Sequence, residues 1–274
     1  MEDPRKRLEA LANQWNVIYD DVLETATSLI AFGVQSERPV VLKVVRQPGD
    51  EWGAGAVAAA FAGNGVVPVI AHEPGAALLR RLSPAPDLTA LARTDDAAAC
   101  AVFGGVIRRM IAHAEQVTFA VTAESWGVAF DRYLSSGDSH LDFGLVTAAR
   151  RTYMQLCATQ RSPRLLHGDL QHYNILYDQQ LGWTAIDPKG VVAEIEFEFG
   201  PALRNPHDMP ELYADAERVR ARIALMTSGL DVDISRVQQW AFAQAVLSAI
   251  WTIEDEGNIA SADAALRLSH CLSA

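Results

Sequence analysis

Three cysteines, Cys100, Cys157 and Cys271, are all that 274 residues contain. They are widely separated, odd in number and fit no zinc or redox spacing, which argues against a disulfide framework or a cysteine metal site. Long apolar runs are missing too. None approaches the ~20 residues of a membrane helix. The opening stretch, "MEDPRKRLEALANQW", has charges but lacks the apolar run of a secretory signal. The expected location is therefore the cytoplasm, with no membrane partner. Positive charge is in deficit: 23 Lys and Arg face 34 Asp and Glu, for a formal net charge of −11. Nucleic acid requires a basic face, so no nucleic-acid partner is expected. The acidity suits a cationic substrate steered into an acidic cleft, and equally a protein that is acidic only to stay soluble.

Half of the residues are hydrophobic, enough to bury one large core or two small ones. Arg7–Trp15 has apolar residues at helical spacing. "DVLETATSLIAFGVQSERPVVLKVV" reads as three strands with two turns, the last strand being the β-branched run Pro39–Val45. Glu51–Phe61 is alanine-rich and helix-like. Asn64–His72 and Ala76–Leu82 read as further strands around a turn at Glu73–Gly75. "SPAPD" (Ser83–Asp87) is a proline-rich break, after which the pattern changes. Asp95–Glu115, Val121–Tyr133 and Leu145–Thr159 are helical in period, with Pro163 closing the last of them. Gly182–Pro188 is strand-like, and the chain from Pro210 onward is helical again. The expectation is an α+β protein of two lobes: residues 1–82, small and β-rich, and residues 83–274, larger and mainly helical. A cleft between such lobes is a favoured ligand site.

One stretch breaks the core pattern. "LLHGDLQHYNILY" (Leu165–Tyr177) sets two histidines, an aspartate and an asparagine among large apolar residues. Thirteen residues past Asn174, Asp187 ends the short run "WTAID". A hairpin of two short strands brings Asn174 and Asp187 to neighbouring positions. An amide oxygen and a carboxylate there form a hard-oxygen site suited to Mg²⁺, and Asp169 is left free to act as a base. Lys43, in the middle of "VVLKVV", needs an anionic partner, because a bare ammonium in that setting is costly. Glu51, eight residues on, is the candidate. A lysine for phosphates, a metal site and a carboxylate to orient a hydroxyl are the parts that phosphoryl transfer uses. H-x-D-x-x-H also has the look of a metal-hydrolase motif, but that reading leaves Lys43, Asn174 and Asp187 without a role. His172 is expected to face solvent or brace the loop.

The motifs "HGDLQHYN" and "IDP" resemble the aminoglycoside phosphotransferase branch of the protein-kinase-like fold. "LLHGDLQHYNILY" with "WTAIDPKGVVAE" resembles in particular the streptomycin 6-kinase and hydroxyurea-resistance kinase family. The likeness runs from "LANQWN" to "SAIWTIEDEG", dense over His167–Pro206 and thin between Asp87 and Pro163. It implies an ATP-dependent, Mg²⁺-assisted kinase of a small hydroxylated molecule. Asp169 would be the catalytic base, Asn174 and Asp187 would bind Mg²⁺, and Lys43, paired with Glu51, would hold the α- and β-phosphates. Thr25, Thr27 and Ser28 would cover the phosphates, and backbone atoms near Arg80 and Leu82 would bind adenine. The chain has no G-x-G-x-x-G loop. Arg80 stands where similar enzymes often carry an acid, and Glu198 where they usually carry an aspartate bracing the catalytic loop.

The likeness places acidic groups around the acceptor. Glu254, Asp255 and Glu256 are the first candidates, a cluster that reads equally well as a solvated helix end, and Asp208 and Glu211 are the second. Glu194, Glu196 and Glu198 alternate with apolar residues as either a solvated strand face or an acidic wall for a cationic substrate, with the solvated face favoured for Glu196 and a structural role for Glu198, and Lys189 either reaches the transferred phosphate or lies on the surface. The leading acceptor is an aminoglycoside such as streptomycin. The alternatives are a kinase of an unrelated small metabolite and a nucleotide-binding module with little catalysis.

Overall fold

The computed structural model describes residues 3–112 and 121–273. The first lobe opens with α1 (Pro4–Gln14), followed by β1 (Ile18–Glu24), β2 (Ser28–Gln35) and β3 (Arg38–Val45). A 3₁₀ turn (Asp50–Gly53) leads into α2 (Ala54–Ala60), and β4 (Val69–Glu73) and β5 (Ala76–Arg80) complete an antiparallel sheet of order β1-β2-β3-β5-β4. Alternation fixes the faces. Val40, Leu42 and Val44 of β3 point into a small core with Leu29, Leu78 and α1, so Lys43, between them, points the other way, toward the second lobe. The helix expected over Glu51–Phe61 thus begins as a 3₁₀ turn. Of the strand expected over Asn64–His72, only the C-terminal part lies in the sheet, because Val66 instead bridges in parallel to Ala185 of the second lobe.

"SPAPD" is a strand rather than a break. β6 (Pro84–Asp87) pairs antiparallel with β8 (Ile175–Asp178), which in turn pairs with β9 (Gly182–Ala185) after β7 (Arg164–Leu166). Proline is tolerated here because β6 is an edge strand with Pro84 at its first position. The helices are α3 (Leu88–Ala92), α4 (Asp96–Ile111), α5 (Ala123–Ser136), α6 (Phe143–Ala158), α7 (Gly200–Leu203), α8 (Ala216–Thr227), α9 (Ile234–Glu256) and α10 (Asp263–Leu272). The expected helix over Asp95–Glu115 has its last residues outside the described ones. Aspartates cap many of these helices: Asp87, Asp95, Asp142, Asp215 and Asp233 each accept a backbone N–H of the first turn. β10 (Val191–Ala193) pairs with β7. Strands as short as these two carry too little alternation to be seen in sequence. One hydrophobic cluster is continuous across both lobes, joining Val57 and Phe61 of α2 to Phe103, Leu170 and Phe199.

In "AEIEFEFG" the solvated face favoured for Glu196 requires a correction, whereas Glu198 has the structural role expected of it. The glutamates do not form a solvated strand face. Ile195–Phe199 is a 3₁₀ turn, and Glu194, Glu196 and Glu198 are all buried. Each survives burial because it accepts hydrogen bonds. Glu194, fully buried, takes the Nε and Nη2 donors of Arg236 (2.8 and 2.5 Å), the Trp240 indole (2.6 Å) and the Arg161 N–H (2.9 Å). Glu196 takes the Asp233 N–H at 3.1 Å. Replacing Glu194 by Ala strands the Arg236 guanidinium, and loss of one member of a buried pair costs ~3–5 kcal/mol. Urea denaturation is expected to show a loss of that size, and a much smaller one when Arg236→Met is added; equal losses in both backgrounds would refute the pairing.

Candidate active site

The segment 167–174 leaves β7, turns through Gly168 and ends in a 3₁₀ turn at His172–Asn174. Gly168 has φ +80°, a conformation that glycine alone adopts freely, and an added Cβ would meet Trp126 and Val191 at 3.1 Å. Glu198 holds this turn from below. Its two carboxylate oxygens accept the N–H groups of His167 (2.7 Å) and Gly168 (3.0 Å), and the Leu170 N–H also bonds to it. Burial pushes the Glu198 carboxyl up to about 8, opposed by these donors, which favour the charged form.

His167 is buried, and its Nε2 lies 2.9 Å from the Ile186 carbonyl. Burial lowers its basicity. His172 does not face solvent: it is completely buried, with Nε2 3.4 Å from Arg222 Nη2. The two rings face separate partners, and among the described residues no group of three His, Cys, Asp or Glu converges on a metal-sized space. A histidine-based metal site is absent from that part of the chain.

Asn174 and Asp187 come together through the β8–β9 hairpin, where the Ile186 N–H donates to the Asn174 carbonyl at 2.9 Å. Asn174 Nδ2 donates to the Asp169 carbonyl at 2.9 Å, and among the described residues no hydrogen bond ends on its Oδ1. Asp187 has φ +61°, a left-handed conformation that costs an L-residue of order 1–3 kcal/mol and recurs at functional sites. Its carboxylate pairs with Lys43 Nζ, which also lies 2.8 Å from Glu51 Oε2. Burial works against the Lys43 charge, but the two carboxylates outweigh it and raise its basicity. Burial likewise opposes charge on Glu51, but Lys43, Thr27 and Ser28 hold its carboxyl below the ordinary value. Ser28 Oγ donates to Glu51 at 3.3 Å, and Thr25 Oγ1 caps the turn by accepting the Ser28 N–H at 2.9 Å.

Two cavities adjoin this set. One, of about 530 Å³, lies between the sheet and the hairpin, lined by Ile30, Val41, Leu79, Leu176 and Ile186, with Lys43 and Asp187 at its polar part. Arg80 and Leu82 line it as well. The Arg80 side chain turns to Gln180 (2.6 Å) and Asp178 (3.4 Å). The N–H of Arg81 donates to Pro39 and that of Ser83 to Asp178, whereas the Leu82 N–H between them has no partner among the described residues. The second cavity, of about 490 Å³, is lined by Asp169, Lys189, Arg204, Trp126, Trp251, Glu254, Asp255 and Glu256. Lys189 Nζ is 3.8 Å from Asp169 Oδ2. Arg132 grips Glu254 with two bonds of 2.7 and 2.5 Å. Asp208 and Glu211 are not among its lining residues. Asp208 is tied to Arg93 (2.5 Å) and to Tyr173 Oη (3.0 Å). Of the lining residues Trp126, Arg132, Arg204 and Trp251, three carried no sequence signal for a site. Arg204 alone had a clue, being a lone charge inside the apolar run "FGPALRNP".

Solved structures share this architecture. Choline kinase LicA of Streptococcus pneumoniae aligns with a TM-score of 0.69 at 11% identity, covering 98% of both chains. Aminoglycoside phosphotransferase APH(4)-Ia, in ternary complex with ADP and hygromycin B, aligns with a TM-score of 0.67 at 14% identity, covering 97% of each. At such identities the likeness is one of fold, and the fold is that of the two-lobed, protein-kinase-like phosphotransferases. Sequence comparison is more specific. The streptomycin 3''-kinase of Klebsiella pneumoniae is 30% identical over 248 residues, 88% of this chain and 91% of that protein. The streptomycin 6-kinase of Streptomyces griseus is 30% identical over 201 residues, 72% of this chain and 65% of that one. The model of the aminoglycoside/hydroxyurea antibiotic resistance kinases matches residues 14–256, and the chain belongs to that family.

His172 titrates with a definite sign. Burial, and secondly Arg222, lower it from 6.5 to about 3. The unfolded chain therefore takes up a proton that the folded one refuses. The stability due to neutral His172 is complete above about 6.5 and is lost as pH falls toward about 3. Over that window its contribution falls with a slope of up to roughly 1.4 kcal/mol per pH unit. The His172→Gln variant should show a flatter stability profile between these limits, and an unchanged profile would exclude the buried neutral ring as its source.

Proposed function

We propose that the chain transfers the γ-phosphoryl group of ATP to a hydroxyl of a cationic small molecule, an aminoglycoside such as streptomycin being the leading acceptor. The observation that carries this reading is the division of labour between the two cavities. Lys43 and Asp187 line one, Asp169 lines the other, and Asn174 is bonded to Asp169. The apolar slot between Val41 and Leu176 suits a purine, with the unpartnered Leu82 N–H as its donor. Lys43, held by Glu51, faces the phosphates, and the Thr25–Ser28 turn lies over them. Asn174 Oδ1 and the Asp187 carboxylate are hard oxygens, and Mg²⁺ is commonly held by one or two such groups with substrate phosphates completing its shell. When bound there, the ion neutralises charge on the β- and γ-phosphates. Asp169 accepts the proton of the attacking hydroxyl, with Lys189 as its counter-charge.

The acceptor cavity favours an amine. Asp255 and Glu256 line it beside Asp169, and with Glu254 matched by Arg132 they supply its net negative charge. Support also comes from the streptomycin kinases among the relatives. A second reading rests on Trp126 and Trp251, whose rings meet edge-on at 5.6 Å at this cavity. Aromatic faces select quaternary ammonium groups, so a choline-like acceptor belongs in the same assay.

ADP release should be followed with streptomycin, hygromycin B, hydroxyurea and choline as acceptors. Turnover with an aminoglycoside is expected, and turnover with choline alone would replace the first reading by the second. In Asp169→Ala, kcat should fall ~10²–10⁴-fold while MgATP affinity, measured calorimetrically, stays at the wild-type value. Retention of normal turnover would remove Asp169 from the base role. Lys43→Ala is expected instead to weaken nucleotide binding, and unchanged ATP KM and kcat would count against its assignment.

A further inference from the structure

Arg204 has no part in the reaction just described, yet it is built into the acceptor cavity beside Gly168, Asp169 and Lys189. Its Nη1 is closed off from solvent and has no hydrogen-bond partner among the described residues. None of the ion pairs among the described residues includes it, and the carboxylate that acts on it is Asp169. An unpartnered guanidinium nitrogen is costly, and a guanidinium in the lining of this cavity has donors to offer an anionic occupant.

The surrounding chain holds Arg204 firmly. Arg222, only 1% exposed, donates to the carbonyl oxygens of Ala202 (3.3 Å), Leu203 (3.2 Å) and Asn205 (3.0 Å), on both sides of it. The same guanidinium reaches His172 in the segment that carries Asp169. One buried arginine thus fixes the backbone of the other relative to the reacting carboxylate. Such support is what a group acting on a short-lived species needs.

The anion that visits Asp169 is the group being transferred. We propose that Arg204 donates hydrogen bonds to the peripheral oxygens of the phosphoryl group in transit, as a catalytic arginine supplied by the chain itself. This rests on the kinase reading above. In the step, the bond from the γ-phosphorus to the ADP oxygen breaks as the bond to the acceptor oxygen forms. The hydroxyl proton passes to Asp169, and ADP leaves with the electron pair. Charge spread over the phosphoryl oxygens is met by the planar fork of Arg204, a geometry lysine does not reproduce.

The test uses Arg204→Gln, Arg204→Lys and Arg204→Ala in two assays. In steady state, Arg204→Gln is expected to lose ~10³-fold or more in kcat, the range for arginines in this role, with both KM values held. Arg204→Lys should recover only part. Added guanidinium should restore turnover to Arg204→Ala but not to Asp169→Ala, which a merely structural arginine would not allow. The second assay needs no acceptor: calorimetry of MgADP with and without fluoroaluminate, a mimic of the phosphoryl group in flight. Wild-type protein should bind MgADP more tightly when fluoroaluminate is present. Folded Arg204→Gln, or Arg204→Lys if the former is unstable, should lose that gain while binding MgADP alone as before. A raised acceptor KM at unchanged kcat, or a retained fluoroaluminate gain, overturns the proposal. Absence of turnover by wild-type protein with every acceptor would sink the kinase reading, and the fluoroaluminate assay would still decide the role of Arg204.

Discussion

A carboxylate buried beneath a loop is the constraint on which the rest of the site depends. Glu198 gathers the N–H groups of His167, Gly168 and Leu170 into one anchor. That anchor sets the direction in which the chain leaves β7, and so where Asp169 and Asn174 fall. The loop gives up the solvation of three amides and the carboxyl group gives up its own, and each compensates the other. The 3₁₀ turn at Ile195–Phe199 carries Glu198 beneath the loop. Above this anchor, Lys43 ties the first lobe to the second by pairing with Glu51 on one side and Asp187 on the other.

Much of this was legible in the sequence. Lys43 stood out as a charge in a β-branched strand, and the pleat that buries its neighbours Leu42 and Val44 turns Lys43 to the opposite side. The loop His167–Asn174 stood out as polar residues within an apolar run, and the hairpin spacing to Asp187 foretold the approach seen in the structure. Local patterns of this kind report local geometry directly.

The misreadings share one cause. "AEIEFEFG" alternates acid and apolar residues, which imitates a strand with a wet face, yet the partners that allow its glutamates to be buried lie 30 to 46 positions away. His172 is buried because Arg222, 50 positions on, covers it. "SPAPD" is a strand because β8 offers it an edge. Burial of a polar group depends on who meets it in space, and a period of two or 3.6 carries no record of distant partners. The same holds for Arg204, whose oddness in an apolar run was visible while its neighbours were not.

The crossing between the lobes is unusually short. The N–H of Arg81 belongs to the first lobe through Pro39, that of Ser83 belongs to the second through Asp178, and the Ser83 carbonyl is held by Gln179. Leu82 is the single residue between these attachments, and it lines the cleft between the sheet and the hairpin. The covalent crossing is reinforced by the Val66–Ala185 bridge and by the cluster that spans both lobes. At Leu82 the covalent join between the lobes and part of the wall of the cleft are thus one and the same residue.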